Sequence, residues 1–223
     1  MCGRFTATYT GEELAQLFLL PEVPRMAPRY NVAPSQPVAA VRLRQRDGQR
    51  ELTYFQWGLI PSWAKDPAIG NRMINARSET VAEKPSFKHA FRRRRCLVPA
   101  SGYYEWQQRP EGRQPMYIHL AGGGPFAIAA LWETWMAPDG GEVQTCALLT
   151  RDANATLRDV HDRMPVILPV ETYTAWLDLR LQDPAQVSTL LRTVPPEAFE
   201  YYPVSMTVNN PRNESPVCIA RLG

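Results

Sequence analysis

An α+β fold on a mostly antiparallel sheet is what this sequence predicts, and three observations carry the prediction. Runs with strand-like alternation are joined by tight turn signals. Helical patterns are grouped between those runs instead of alternating with them one for one. The chain has 223 residues, 44% of them hydrophobic, enough for one sizeable core and hence one domain over residues 1–223.

Taken in order, Thr10-Gly11-Glu12-Glu13 reads as a capping box opening a short helix with Leu14, Leu17 and Phe18 on one face. Five prolines between Pro21 and Pro37 make the next stretch an irregular connection. VAAVRLR and ELTYFQWGLI form two strands around a turn at Asp47-Gly48. A helix is expected near residues 78–84, and PSFKHAFRRRR reads as a second helix whose basic end, residues 92–95, is solvated. CLVPASGYYEW, QPMYIHL, FAIAALWETW and TCALLT are strand candidates, separated by Pro110-Glu111-Gly112 and Gly122-Gly123-Gly124. Helices around VETYTAWLDL and PAQVSTLLR, a strand at FEYYPVS and an irregular tail complete the chain.

The net charge of +3 hides a division. Residues 1–100 carry 16 Lys+Arg against 8 Asp+Glu, and the remaining residues carry 9 against 14. A basic half on a nearly neutral chain suits a polyanion, although an ordinary solvated surface accounts for the same count. No apolar run is long enough to cross a bilayer and no charged-then-apolar leader precedes the first strand, so no membrane role is expected. Cys96, Cys146 and Cys218 lie in apolar contexts and read as small buried hydrophobes. No paired Cys/His spacing suggests a metal, and no motif calls for a cofactor.

The chemistry concentrates at Met1-Cys2-Gly3-Arg4-Phe5. Removal of Met1 would leave Cys2 with a free α-amine, titrating near pH ~8, and a thiol, near ~8.5. Such a 1,2-aminothiol condenses with aldehydes to a five-membered thiazolidine, which an internal cysteine cannot do. A disordered terminus with no special role is the plainer reading of the position. Glu105, between Tyr103, Tyr104 and Trp106, is a candidate general acid/base, against an exposed glutamate on the wet side of a sheet. Strand alternation pairs Tyr103 with Glu105 on one face and Tyr104 with Trp106 on the other. His161 is a candidate proton shuttle, and a surface histidine is its plainer reading. Asn75 could bond a substrate oxygen or merely shape a turn, and Arg4, Arg77 and Arg163 are candidate phosphate clamps. Trp57 and Trp63 flank a proline turn; Trp63 is the better placed for stacking on or wedging bases, and Trp57 reads equally as core.

Seven blocks, MCGRF, YNVAPSQ, WGLIPSWAKD, NARSET, SGYYEW, HDRMPVIL and VSMTVNNPRNESP, run in order along nearly the whole chain. Together they closely resemble the SOS-response-associated peptidase (SRAP) family of abasic-site processing proteins. The resemblance implies a curved, barrel-like sheet and a basic groove for single-stranded DNA containing abasic sites. It implies a thiazolidine crosslink through Cys2, with Asn75, Glu105 and His161 as supporting catalytic residues. Arg4, Arg77 and Arg163 would hold phosphates, and Asn31, Pro34 and Trp63 would line the groove or wedge the bases. β-Elimination at an imine intermediate would give a lyase side path, and Glu105 could assist self-processing at Met1. A monomeric, cytoplasmic bacterial protein is expected. An alternative stands in the N-terminal-nucleophile amidohydrolases of glutamine amidotransferase type, which also begin with Cys-Gly. A non-catalytic single-strand-binding module is a third reading.

Overall fold

The computed structural model describes residues 2–44 and 46–223. Met1, whose removal the aminothiol chemistry requires, lies outside the described residues. The strands are β1 (Phe5–Ala7), β2 (Arg29–Val32), β3 (Pro37–Leu43), β4 (Arg50–Trp57), β5 (Asn75–Arg77), β6 (Arg95–Ala100), β7 (Gly102–Arg109), β8 (Gly112–Leu120), β9 (Phe126–Met136), β10 (Glu142–Asp152), β11 (Arg163–Pro165), β12 (Ile167–Leu168) and β13 (Phe199–Pro203). The helices are short: α1 (Gly11–Phe18), α2 (Lys88–Arg93), α3 (Tyr173–Leu177) and α4 (Pro184–Thr189).

Two sheets result. One runs β13-β8-β7-β1-β2, with every pairing antiparallel. The other runs β11-β10-β4-β3-β6-β9-β12 and closes on itself, because β10 also pairs antiparallel with β9 from Glu142↔Met136 to Leu148↔Ala130. A ring of β3, β4, β10, β9 and β6 forms a five-stranded barrel, the curved sheet expected above, and closure removes the free edges of those strands. Among the described residues, only the contacts of β10 with β4 and with β5 are parallel. Alanines 127, 129 and 130 on β9, with Cys96 and Cys146, are fully buried in the barrel strands. The main apolar cluster joins both sheets, from Cys2 and Phe5 to Phe199.

Most local expectations hold. Thr10 and Glu13 form the reciprocal capping box, at 3.2 and 2.7 Å, and Leu14 and Phe18 are buried. The β3–β4 hairpin turns at Gly48, whose φ of 70° is in the left-handed region that glycine tolerates. Residues 78–83 are turns, not a helix. The Ser78 amide is drawn to the Thr150 carbonyl at 2.8 Å, and Pro85 disfavours helical backbone at Lys84. The basic run is only partly solvated. Arg95 is buried at the head of β6 and donates to the carbonyls of Phe91, Arg92, Trp176, Asp178 and Leu181, while Arg94 pairs with Glu133 at 2.8 Å. That guanidinium ties α2, β6 and α3 together through carbonyls left open at the helix ends.

Candidate active site

Cys2 lies three residues before the first residue of β1, which pairs with β7 through Phe5↔Tyr103 and Thr6↔Gly102. The Tyr104 amide adds a bond to the Arg4 carbonyl at 3.0 Å, so the start of the chain is laid against β7. From the other sheet, β5 runs parallel to β10 with Asn75 opposite Leu148, and Asn75 Nδ2 donates to the Cys2 carbonyl at 2.8 Å. Cys2 is fully buried. Burial pushes its thiol well above the ordinary range, and the nearby Glu105 charge pushes the same way.

Glu105 is buried because both faces of β7 are covered. Tyr103 joins the main cluster with Cys2, while Tyr104 and Trp106 pack in a second cluster with Tyr117, Val204 and Val208. The alternation read from the sequence is therefore present, and the wet-side glutamate is excluded by an exposure of 3%. Burial raises the Glu105 carboxyl from 4.5 to about 7, and the charge of Asp162 adds to the effect. His161, between β10 and β11, sets its Nε2 3.8 Å from Glu105 Oε2. At that distance the two are neighbours and not a tight ion pair. Burial lowers the imidazole below its ordinary value, as does the cationic Arg113, so near pH 7 the imidazole favours its neutral form while Glu105 is about half protonated. The Arg163 amide donates to His161 Nδ1 at 3.0 Å, which selects the tautomer carrying its proton on Nε2, toward Glu105. Asp162 Oδ1 also approaches Nδ1, at 2.8 Å, but its side chain is exposed and free to turn away, whereas the backbone amide is fixed.

Four residues from four parts of the chain thus meet: an N-terminal thiol held by its own carbonyl, an amide, a carboxyl able to give or take a proton near neutrality, and an imidazole. The other expected residues divide. Arg77 ends β5 two residues after Asn75, hence on the same side, and is exposed. Trp63 is exposed at 60%, whereas Trp57 is core and donates from its indole to the Ile74 carbonyl. Pro34 is half-buried in the turn after β2.

Asn31 is buried and organises the tail. Its Nδ2 donates to the carbonyls of Val208, Asn210 and Asn213 at 3.1, 3.0 and 3.0 Å, and its Oδ1 accepts from Arg4 at 2.8 Å. Arg4 also donates to the Val208 carbonyl, and Glu214 accepts from the backbone amides of Tyr30 and Asn31. Arg163 is turned inward, with both terminal nitrogens 2.9 Å from the Glu79 carboxylate and further bonds to Asp152 and the Thr150 carbonyl. That pairing fixes the strand following His161 and leaves little of the guanidinium for a phosphate. Sequence reasoning gave no role to Tyr103, although its place two residues before Glu105 on one strand put it on the site's face.

Comparison with known proteins places these observations in a family. The SOS response associated peptidase (SRAP) family matches residues 1–211. The chain is 42% identical over 225 residues to the abasic site processing protein YoqW of Bacillus subtilis, covering 98% of this chain and 99% of that one. It is 32% identical to the abasic site processing protein YedK of Escherichia coli, with 96% of each covered. Among vertebrate proteins it is 34% identical to the abasic site processing protein HMCES of Xenopus tropicalis, over 87% of this chain and 66% of that one. A crystal structure of a Bacteroides thetaiotaomicron protein superposes with a TM-score of 0.86 at 25% identity, covering 99% of this chain and 100% of that one.

Proposed function

The chain belongs to the SOS response associated peptidase (SRAP) family, and on that premise we propose that it processes abasic sites by capturing them covalently in single-stranded DNA. The observation that carries this reading is the hydrogen bond of Asn75 to the buried Cys2, beside a carboxyl whose pKa is about 7. With Met1 removed, the Cys2 amine adds to C1′ of the open-chain sugar to give a carbinolamine, which loses water to become an iminium. The thiol then attacks C1′ and closes a thiazolidine. Glu105, half-ionised near neutrality, relays the protons of addition and dehydration. His161 presents an Nε2 proton to the sugar ring oxygen and promotes opening. Asn75 holds the Cys2 backbone so that amine and thiol reach one carbon.

Arg77 and the exposed Trp63 suit a phosphate and an unstacked base beside the lesion. β-Elimination from the iminium is an available side path, which ring closure suppresses. Removal of Met1 with help from Glu105 belongs to the same proposal, whereas no separate constellation supports cleavage of other proteins.

Intact-mass measurement tests the reading. Protein lacking Met1 is mixed with a single-stranded oligonucleotide bearing one abasic site. The expected product weighs protein plus DNA minus one water, survives heating, and is absent with Cys2→Ala. A heat-stable adduct from Cys2→Ala would refute the thiazolidine. Release of ammonia from glutamine without any adduct would favour an amidohydrolase instead.

A further inference from the structure

The Tyr103 hydroxyl is 1% exposed as a residue and has no hydrogen-bond partner among the described residues. Asn75 Oδ1, beside Cys2, is in the same condition. A buried polar atom left unbonded costs folding free energy, and phenylalanine would fill the same space without that cost. Tyr103 lies on the face of β7 that carries Glu105, opposite Phe5 and in one cluster with Cys2. Its hydroxyl is near enough to both the Cys2 thiol and the Glu105 carboxylate for the charge of each to act on it. The thiol points at an acceptor, the Arg4 carbonyl 3.9 Å away, and the Glu105 charge opposes its ionisation. A sulfur that surrenders its proton here needs a donor.

We propose that the Tyr103 hydroxyl donates to the Cys2 sulfur as the thiazolidine ring closes, a role that rests on the capture reading above. In that step Glu105 takes the thiol proton and the sulfur electron pair forms the S–C1′ bond. The C=N π pair returns to nitrogen, leaving a neutral secondary amine and a protonated Glu105. Tyr103 keeps its own proton throughout. It bonds the sulfur only while negative charge resides there, so its partner in the resting protein is missing.

The test compares Tyr103→Phe with the unsubstituted chain, both shown by mass to begin at Cys2. Adduct formation on abasic single-stranded DNA is expected to slow by about 10- to 100-fold, the weight of one hydrogen bond to a charged group. The rising limb of its rate–pH profile should move to higher pH. Noncovalent affinity for the same DNA should not change, and the melting temperature should hold or rise. Equal adduct rates would overturn the role of Tyr103 while leaving capture intact. A lower melting temperature or failure to fold would show that the hydroxyl serves the structure and would overturn it too. No adduct from the unsubstituted chain would overturn capture and this role together.

Discussion

Replacing Glu105 with glutamine removes a buried ionisable group and keeps its shape, so its consequence for stability can be worked out in advance. The carboxyl stands at about 7 in the folded chain against an ordinary 4.5, chiefly because it is buried. Below pH 4.5 it is protonated in both states and costs nothing. Between 4.5 and 7 the unfolded chain releases the proton while the folded chain keeps it, so stability falls as pH rises. Above 7 the folded chain must hold a buried carboxylate, at a cost of about 3 kcal/mol. The Glu105→Gln variant escapes that cost. Relative to the unsubstituted chain it should gain nothing near pH 4 and about 3 kcal/mol by pH 8, or roughly 6–12 °C in Tm for a chain of this size. Urea unfolding of both proteins from pH 4 to 8 reads the difference. A constant offset reports only the amide's own bonding, and the signal is the rise with pH. A difference that stays flat across the range would refute the assignment of a near-neutral carboxyl, and with it the relay role of Glu105.

Other outcomes follow from the same geometry. Asn31→Ala strands three tail carbonyls and the Arg4 guanidinium, and should cost about 2–3 kcal/mol in chemical denaturation. Arg77→Ala should reduce the salt slope of single-strand binding by ~0.7, the share of one phosphate, measured by fluorescence anisotropy over a salt series. Arg163→Met should lower Tm through lost pairing with Glu79 and Asp152 yet leave that slope unchanged. A matching loss of slope would reinstate Arg163 as a phosphate clamp.

What the sequence revealed depended on how local the cause was. The Thr10–Glu13 cap, the Asp47-Gly48 turn and the alternation along β7 are set within a few residues, and each was legible. The helix expected at residues 78–84 failed because a distant partner, the Thr150 carbonyl, claims the Ser78 amide. Arg95 misled for a similar reason: four adjacent arginines read as solvated, yet carbonyls from α3 and its flanks enclose one of them. At the site, motif blocks pointed to Cys2, Asn75, Glu105 and His161, but not to how they meet. Nor could they show that Asn31 and Arg163 face inward, since pairing with residues 210 and 79 leaves no local pattern.

The way the first strand is held has a consequence for the order of events on the ribosome. Cys2 and Arg4 are made first, yet Arg4 is secured by the Val208 carbonyl, 204 positions later, and the Cys2 carbonyl waits for Asn75. Such long-range pairings form late in folding. Until those partners have been made, the start of the chain lacks the bonds that hold it in the folded protein. Those bonds reach as far as residue 208, so the full set can form only after that part of the chain has been made.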